Sequence, residues 1–386
     1  EKAKPYLIRI DEKYDNVQVV KVADMDLAEV TGIQLQNDNK IATVEYTVTY
    51  KNITPFAKLM KRDLSEKKTE RTNLSYFDTG WKVDKQQYLA KFCMIKKLFG
   101  LNPNPTEDGA YSPSNLSLKL ATSDTTDYTQ INFSKPNNDK QLKILVVCTE
   151  QAQLAMTNGK IFSTGNHPVE TLVPMLHLKN AGFSFDIFTP TGKSVKIEMW
   201  AMPTKDKNVM AIYEEYKSRF EKPNSIAEFA RNDFDNNCNY IAVYIPGGHG
   251  ALIGLPDDKN VGDLIKWAFR KDLFSLAICH GPAAFLAAKP ANETEPFIFN
   301  GYKIAAFPDK VDKQTPLIGY MPGQLTWFFG EQLNKLGVSI VNSKADKTCF
   351  ADRKLITGAS PKAANEFGKL SATKLLEYLN GQIQNE

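Results

Sequence analysis

The chain has 386 residues, which is more than one ordinary core accommodates and predicts two domains. Its hydrophobic content of 42% and charged content of 24% are those of a globular protein, and no apolar run approaches the ~20 residues that span a bilayer. The net charge of +4 comes without a dense basic run, so no nucleic-acid partner is expected.

Five cysteines are present, an odd number, and no two are close enough for CxxC chemistry. They are Cys93, Cys148, Cys238, Cys279 and Cys349. A disulfide framework is therefore not expected, and most of these residues are interpreted as buried thiols. The sequence starts at Glu1 rather than at Met, which leaves export open as an expectation.

Residues 1–100 predict a small α+β domain. The segment "KIATVEYTVTYKN" (40–52) alternates with the period of two of a half-buried strand, and 16–22 and 73–83 read similarly. The polar segment 56–70 predicts a helix or an excursion. A cystatin-like or NTF2-like curved sheet is the hypothesis, with an unknown role and no catalytic constellation.

Residues 101–141 are rich in Pro, Asn, Ser, Thr and Asp and predict an extended wrapping segment. From residue 142 to the end, apolar strands alternate with helical patterns, which predicts a doubly wound, mostly parallel α/β sheet. The predicted strands are 142–148, 183–189, 240–246, 274–279, 302–307, 338–341 and one near 354–358. The predicted helices are 168–182, 261–271, 281–288, 324–337 and 361–379.

One thiol lies where a predicted strand ends and a predicted helix begins, in "SLAICHGPAAFLAA" (275–288). A free cysteine is usually a buried small hydrophobe. At this junction, however, a sharp turn would expose Cys279 at the carboxyl edge of the sheet, and the following helix N-terminus would favour its thiolate. The pattern predicts a nucleophile elbow with Cys in place of Ser.

A second strand ends in two glycines, in "YIPGGHG" (244–250). Most Gly-Gly pairs are only tight turns, but glycine also lets a backbone N–H approach a substrate oxygen closely. The N–H groups of Gly248 and His280 are therefore the candidate oxyanion hole.

Several long motifs together carry a family resemblance. "GKIFSTGNHPVETLVPMLHL", "WAMPTKDKNVM", "IPGGHGALIGLPDD", "ICHGPAAFL", "AFPDKVDKQTP" and "GYMPGQLTWFFGE" resemble the DJ-1/PfpI superfamily, specifically its large bacterial heat-shock chaperone, glyoxalase III and protein deglycase branch. The resemblance covers roughly residues 103–380 and leaves residues 1–100 outside it. It implies a sandwich like that of class I glutamine amidotransferases or flavodoxin.

The resemblance also implies site residues. Cys279 matches the nucleophile, with His280 and Asp312 as its triad partners, and Glu170 matches a glutamate that contacts the thiol. His280 would move a proton near neutral pH while a carboxylate fixes its tautomer. Taken alone, Asp312 reads as a turn-capping carboxylate and Glu170 as a first-turn helix residue.

The family's metal site of two histidines and one glutamate is expected to be absent. The matching positions hold Lys179, Ser184 and Tyr216, which are poor ligands at neutral pH. No cofactor and no metal are therefore predicted. Three further histidines, His167, His177 and His249, are interpreted as structural residues, with His167 in the turn before a helix.

The leading functional hypothesis is a cofactor-independent glyoxalase that converts methylglyoxal to lactate, or a deglycase of methylglyoxal adducts, through Cys279. The alternatives are a holding chaperone, with the cluster "LTWFF" (325–329) as one apolar surface, and a small-peptide cysteine peptidase. The expected partners are a 2-oxoaldehyde or a glycated protein, and unfolded polypeptides for the chaperone. The resemblance implies a homodimer and a cytoplasmic location.

Overall fold

The computed structural model describes residues 7–11, 17–20, 22–36, 41–59, 63–77, 80–83, 101–234, 239–290, 292 and 295–383. The chain divides into two compact units, Glu1–Ile95 and Lys96–Glu386. Cys93 and Cys238 lie outside the described residues. Of the helices that the structure describes, none has the length and apolar character needed to cross a bilayer.

The N-terminal unit is built from antiparallel strands. They are β1 (Leu7–Asp11), β2 (Val17–Val20), β3 (Asp24–Gln36), β4 (Ile41–Lys51), β5 (Lys68–Phe77) and β6 (Gly80–Val83). The first two form a hairpin, and the other four form a sheet in the order β3-β4-β5-β6. A 3-10 helix, Pro55–Leu59, follows β4.

The alternating patterns at 16–22, 40–52 and 73–83 are confirmed as strands, with 73–83 divided between β5 and β6. Sequence reasoning missed β3, which is the longest strand. Its residues are largely exposed, so it lacks the one-sided burial that produces a readable alternation. In the range 56–70, predicted as a helix or excursion, the described residues show the 3-10 helix that ends at Leu59 and the start of β5 at Lys68, and residues 60–62 lie outside the described part.

The second unit contains thirteen strands among its described residues. They are β7 (Asn104–Pro105), β8 (Tyr111–Ser112), β9 (Lys143–Val147), β10 (Gln153–Ala155), β11 (Ile161–Ser163), β12 (Ser184–Thr189), β13 (Asn224–Ser225), β14 (Tyr240–Ile245), β15 (Phe274–Ile278), β16 (Lys303–Ile304), β17 (Ser339–Ile340), β18 (Cys349–Asp352) and β19 (Leu355–Gly358).

Seven of these strands form the central sheet, in the order β13-β12-β9-β14-β15-β19-β18. Every neighbouring pair is parallel except β18 with β19. The chain extends the sheet to one side of β9 with β12 and to the other side with β14. The predicted doubly wound topology is thus confirmed, and the strand order reverses beside β9, where such folds bind ligands.

Helices cover both faces of this sheet. The described α-helices of this unit are α1 (Asn115–Ala121), α2 (Pro168–Asn180), α3 (Lys207–Glu221), α4 (Ile226–Arg231), α5 (Lys259–Arg270), α6 (Asp309–Asp312), α7 (Phe329–Lys335) and α8 (Ala364–Ile383). The core has two layers, since Leu145 and Val147 of β9 point to one face and Ile144 and Val146 to the other. Helices α2, α3 and α8 pack on the face of Ile144, and α5 and α7 pack on the face of Leu145.

Three predicted elements differ from the structure. Residues 281–288 form a 3-10 helix rather than an α-helix. The strand predicted at 302–307 stops at Ile304, because the next two N–H groups bond to the side chains of Thr357 and Asn342. The helix predicted at 324–337 starts only at Phe329, since Leu325 is held in a bridge to Met156.

The segment 101–141 belongs to the second unit and carries β7, β8 and α1. It is tied to the α/β core by scattered polar bonds. The backbone N–H of Asn137 donates to the carbonyl oxygen of Ala181 at 2.8 Å, and the hydroxyl of Thr126 donates to the carboxylate of Asp206 at 2.5 Å. These contacts fit the predicted wrapping role of the segment.

Candidate active site

Cys279 lies directly after β15, in the turn that leads into the 3-10 helix 281–288. Its φ of +60° is in the left-handed region, which a residue with a Cβ adopts only under strain. Two backbone bonds fix it there, one from its N–H to the carbonyl of Gly358 (2.8 Å) and one from the N–H of Phe307 to its carbonyl (2.9 Å). The sharp turn that the sequence predicts is therefore present, and the role of Cys279 as a nucleophile stays a prediction.

The imidazole of His280 connects the thiol to a buried carboxylate. Its Nδ1 is 3.3 Å from Sγ of Cys279, and its Nε2 is 2.9 Å from Oδ2 of Asp312. Because a carboxylate only accepts, Nε2 carries the proton and the Nδ1 lone pair faces the thiol. The ring of Phe307 stacks on the imidazole, with 4.6 Å between the ring centroids, and restricts its orientation.

Asp312 is the last residue of the short helix α6 and is fully buried. Its second oxygen, Oδ1, is 2.9 Å from Nε2 of His249, so the carboxylate accepts from two imidazoles. Burial opposes ionisation of Asp312, but the two imidazoles outweigh burial and hold its pKa below the usual range. The pKa of His280 is lowered, chiefly by burial, so this imidazole is neutral and ready to accept a proton.

Glu170 reaches the thiol from the first turn of α2. Within the part of the chain that the structure describes, neither of its buried carboxyl oxygens has a partner at hydrogen-bond geometry, and the thiol of Cys279 and the N–H of Gly248 are its polar neighbours. A side chain at position 247 would prevent this approach, since a Cβ on Gly247 would lie 2.7 Å from Cβ of Cys279 and 2.6 Å from the carbonyl oxygen of Ile278. The double glycine is thus required for packing around the nucleophile.

Burial sets the protonation states of Glu170 and Cys279. Burial raises the pKa of Glu170 well above its ordinary value, so the carboxyl group is protonated at neutral pH. Burial, with a further contribution from Glu170, also raises the pKa of Cys279 well above 9. The residue is only 3% exposed. The expectation of an exposed, already ionised sulfur is wrong for this state, because the packing removes the solvent that would stabilise a thiolate.

One of the two predicted oxyanion donors, the N–H of Gly248, lies beside the sulfur. Gly248 has a φ of +99°, and its N–H faces both the thiol and the carboxyl group of Glu170. A Cβ at this position would lie 2.5 Å from the amide nitrogen of His167, so only glycine fits. The donor role of the N–H groups of Gly248 and His280 stays a prediction.

The residues at the family's metal positions do not fit a divalent cation. Lys179 forms an ion pair with Glu215, Ser184 begins β12, and the buried ring of Tyr216 packs against Phe185. Among the described residues, one other group brings three potential ligand atoms within 4.8 Å of one another, namely His249, His280 and Asp312. In both imidazoles the Nε2–H group donates to the carboxylate, so neither Nε2 has a lone pair free for a metal ion.

The remaining histidines divide into structural and site residues. His177 is structural, as predicted, with Nε2 2.9 Å from Oδ1 of Asn365. His167 precedes α2, as predicted, and burial lowers its pKa to about 3. His249 also has a hydrogen-bond partner, but that partner is Asp312, which places its imidazole at the site; its role stays a prediction.

Glu198 was not predicted as a site residue, and no signal in the sequence marks it as one. It is buried and accepts from the hydroxyl of Thr164 at 2.6 Å, while the backbone N–H of His249 faces it. For His249 a signal existed, because it follows the double glycine that carries the candidate oxyanion donor.

Comparison with known proteins identifies close relatives. The chain is 48% identical over 275 residues to the protein/nucleic acid deglycase HchA of Escherichia coli O157:H7 (strain EC4115 / EHEC), which covers 71% of this chain and 95% of the relative. It matches protein/nucleic acid deglycase 1 of Escherichia coli K12 with the same identity and coverage. No protein-family model matches the chain.

Among solved structures, the crystal structure of APC35852 aligns with a TM-score of 0.50 at 21% identity and covers 62% of this chain and 99% of that one. This similarity shows the fold alone. The glyoxalase III of Candida albicans aligns with a TM-score of 0.48 at 20% identity, over 60% of this chain and 97% of that one. On the identity to the two bacterial deglycases, the chain belongs to the DJ-1/PfpI superfamily, in its HchA-like branch.

Proposed function

We propose that this protein removes 2-oxoaldehydes such as methylglyoxal, both as the free aldehyde and as early adducts, with Cys279 as nucleophile and without a metal or cofactor. The main support is the bonded series of Cys279, His280 and Asp312 beside Glu170, in a chain 48% identical to relatives named deglycases. These residues all lie in the α/β unit, Lys96–Glu386.

In the first step, Sγ of Cys279 adds to the aldehyde carbon of methylglyoxal. The thiol proton passes to Nδ1 of His280, at 3.3 Å, as the C–S bond forms. The aldehyde oxygen becomes an oxyanion, is held by the N–H of Gly248, and takes a proton to give the hemithioacetal. Because His280 is neutral at rest, the thiol need not be ionised before substrate arrives.

In the second step, a proton leaves the aldehyde carbon and is delivered to the neighbouring carbonyl carbon through an enediol. The first carbon is oxidised and the second reduced, so no external oxidant or reductant is needed. This proton is carried by His280, which is neutral again once the hemithioacetal has formed, or by Glu170 after its own carboxyl proton has passed to a substrate oxygen. Water then cleaves the resulting thioester, which releases lactate and restores the thiol.

An early adduct on an amine or thiol carries the same aldehyde carbon. Transfer of that carbon to Sγ releases the amine or thiol, and the remaining steps are unchanged. The expectation of no nucleic-acid partner is in conflict with the name of the relatives, which includes nucleic acid. Recognition of the adduct rather than of phosphates explains why such an activity needs no basic patch, and glycated nucleotides are therefore proposed as substrates beside glycated proteins.

The test is lactate release from methylglyoxal, and repair of a methylglyoxal-treated peptide and nucleotide, by the wild type and by Cys279→Ala. We expect turnover in the wild type and loss of at least about a thousandfold in the variant. Cys349→Ala is the matched control, because this half-buried thiol on β18 contacts the carbonyls of Lys347 and Ala363 and none of the triad side chains. Turnover by Cys279→Ala, or none by the wild type, would contradict the proposal.

A second candidate function, holding unfolded chains, is favoured by a different surface. The cluster 325–329 cannot supply it, since Leu325 and Phe329 are buried. Strand β3 instead exposes five large apolar side chains, with 46–68% of each accessible: Met25, Leu27, Val30, Ile33 and Leu35. Suppression of aggregation of an unfolded client should persist in Cys279→Ala and fall in Ile33→Glu, and the opposite pattern would contradict it.

The remaining expectations stay predictions. A peptidase would have to bring a main-chain peptide bond to Cys279, which is only 3% exposed, whereas a free aldehyde or an adduct at the end of a side chain is smaller. Cleavage of aminopeptidase substrates faster than methylglyoxal turnover would favour the peptidase. Sedimentation would measure the predicted homodimer, and fractionation would measure the compartment.

A further inference from the structure

Asp312 serves two histidines, and the triad uses only one of them. The imidazoles of His280 and His249 each place Nε2 at 2.9 Å from a different oxygen of the carboxylate. Their ring centroids are only 4.2 Å apart. The two bonds together fix the plane of the carboxylate, because rotation of the carboxyl group would break both.

His249 has a second carboxyl neighbour besides Asp312, namely Glu198, whose charge acts on it. Glu198 is buried, accepts from the hydroxyl of Thr164 at 2.6 Å, and faces the backbone N–H groups of His249 and Gly165. Its second oxygen, Oε2, finds no hydrogen-bond partner among the described residues. A buried carboxyl group with an unused oxygen beside an imidazole is an arrangement that can hold or release one proton.

We propose that His249 is a positioning residue for the triad, which holds Asp312 and carries the positive charge that keeps His280 neutral, with Glu198 maintaining that charge. This inference rests on the proposed function for its catalytic consequence. The claim that His249 lowers the proton affinity of His280 concerns the resting protein and does not depend on the proposed function.

The charges around the two imidazoles agree with this role. Burial disfavours the cation of His249, but Asp312 and Glu198 outweigh burial and raise its pKa. Burial and the nearby His249 both lower the pKa of His280. One carboxylate thus neutralises one imidazolium. The other titratable groups near the pair are His167, Cys279, Glu170 and the buried phenol of Tyr320.

The consequence for catalysis is a short-lived proton on His280. When the thiol proton reaches Nδ1, two imidazolium groups share a single carboxylate, and repulsion between them makes His280 a strong acid. It then returns the proton readily to the substrate oxygen. A triad with only one histidine on Asp312 would hold that proton more tightly.

The test uses histidine NMR, which is practical because the chain has only four histidines. His249→Gln keeps a donor for Asp312 and removes the charge, and Glu198→Gln removes the neighbouring carboxylate. We expect the titration midpoint of His280 to rise by at least about one pH unit in His249→Gln, and by less in Glu198→Gln. The acid limb of kcat/KM for methylglyoxal should move to higher pH by the same amount.

His177→Gln is the matched control, since this buried imidazole bonds to Asn365 outside the site and should leave His280 unchanged. An unmoved or lowered midpoint for His280 in both test variants would overturn the inference, as would lower activity at every pH without a shifted limb. If His249→Gln does not fold, Glu198→Gln decides alone. A shifted midpoint in a protein that does not turn over methylglyoxal would refute the proposed function and leave this inference standing.

Discussion

Replacing Asp312 by Asn should disable the triad without removing a side chain of its size. The carboxylate accepts two N–H bonds, from His280 and His249, each at 2.9 Å. An amide offers one acceptor and one donor group, so only one imidazole can keep its proton on Nε2. If His280 is the one that changes tautomer, Nδ1–H points at the thiol of Cys279 and cannot accept its proton.

The expected loss in kcat/KM is about 10³–10⁴-fold, the size found when a triad aspartate becomes asparagine, or roughly 4–5.5 kcal/mol in activation free energy. Stability should fall by about 1–3 kcal/mol, since a charge-assisted bond is lost while the burial of a charge is relieved. Because the pKa of Asp312 is depressed, its stabilisation is present above the unfolded pKa of about 4 and is lost as pH falls below it. The wild type and the variant should therefore converge in stability in acid.

Lactate release from methylglyoxal and urea unfolding between pH 3 and 8 measure both effects. Asp309→Asn is the matched control, three residues earlier, where the carboxylate accepts from the backbone N–H groups of Gly330 (3.0 Å) and Glu331 (2.8 Å) at the start of α7. It should cost about 1 kcal/mol of stability and leave turnover intact. Activity of Asp312→Asn within tenfold of the wild type, or a larger loss in Asp309→Asn, would refute the reasoning.

Three further predictions concern the surroundings of the thiol. Glu170→Gln should stop turnover yet stabilise the fold above about pH 4.5. The pKa of Glu170 is raised in the folded state, so the wild type loses stability as pH rises above the unfolded pKa of this group, and the variant does not. Urea unfolding across pH should therefore show a flatter stability profile in the variant. Gly247→Ala should lower kcat/KM at least about tenfold, because the added methyl group overpacks against Cys279. Gly32→Ala is the control and should leave kcat/KM unchanged, because a Cβ there would lie 3.8 Å from its nearest neighbour, Cβ of Glu45. Methylglyoxal turnover should resist chelators, since the ammonium of Lys179 offers no lone pair at a family metal position, and loss of activity restored by zinc would contradict this.

Much of the fold could be predicted from local patterns. Continuous apolar runs such as 142–148 indicated parallel strands covered on both faces, and the alternation with helices indicated the doubly wound sheet. The junction at Cys279 also carried its own signal, since a strand that ends in a thiol followed by Gly and Pro predicts a sharp turn. Exposed β3 had no such signal, because neither of its faces is buried enough to select a pattern.

The sequence alone determined which residues end the strands: the thiol after β15 and the double glycine after β14. Only the tertiary structure decided that Asp312, 32 residues from His280 and 63 from His249, bonds to both. It also decided that the sulfur is buried and protonated. The physical reason is that hydrogen-bond partners across the sheet, and the loss of water that shifts a pKa, depend on how distant segments pack, whereas periodicity reports only on neighbours along the chain.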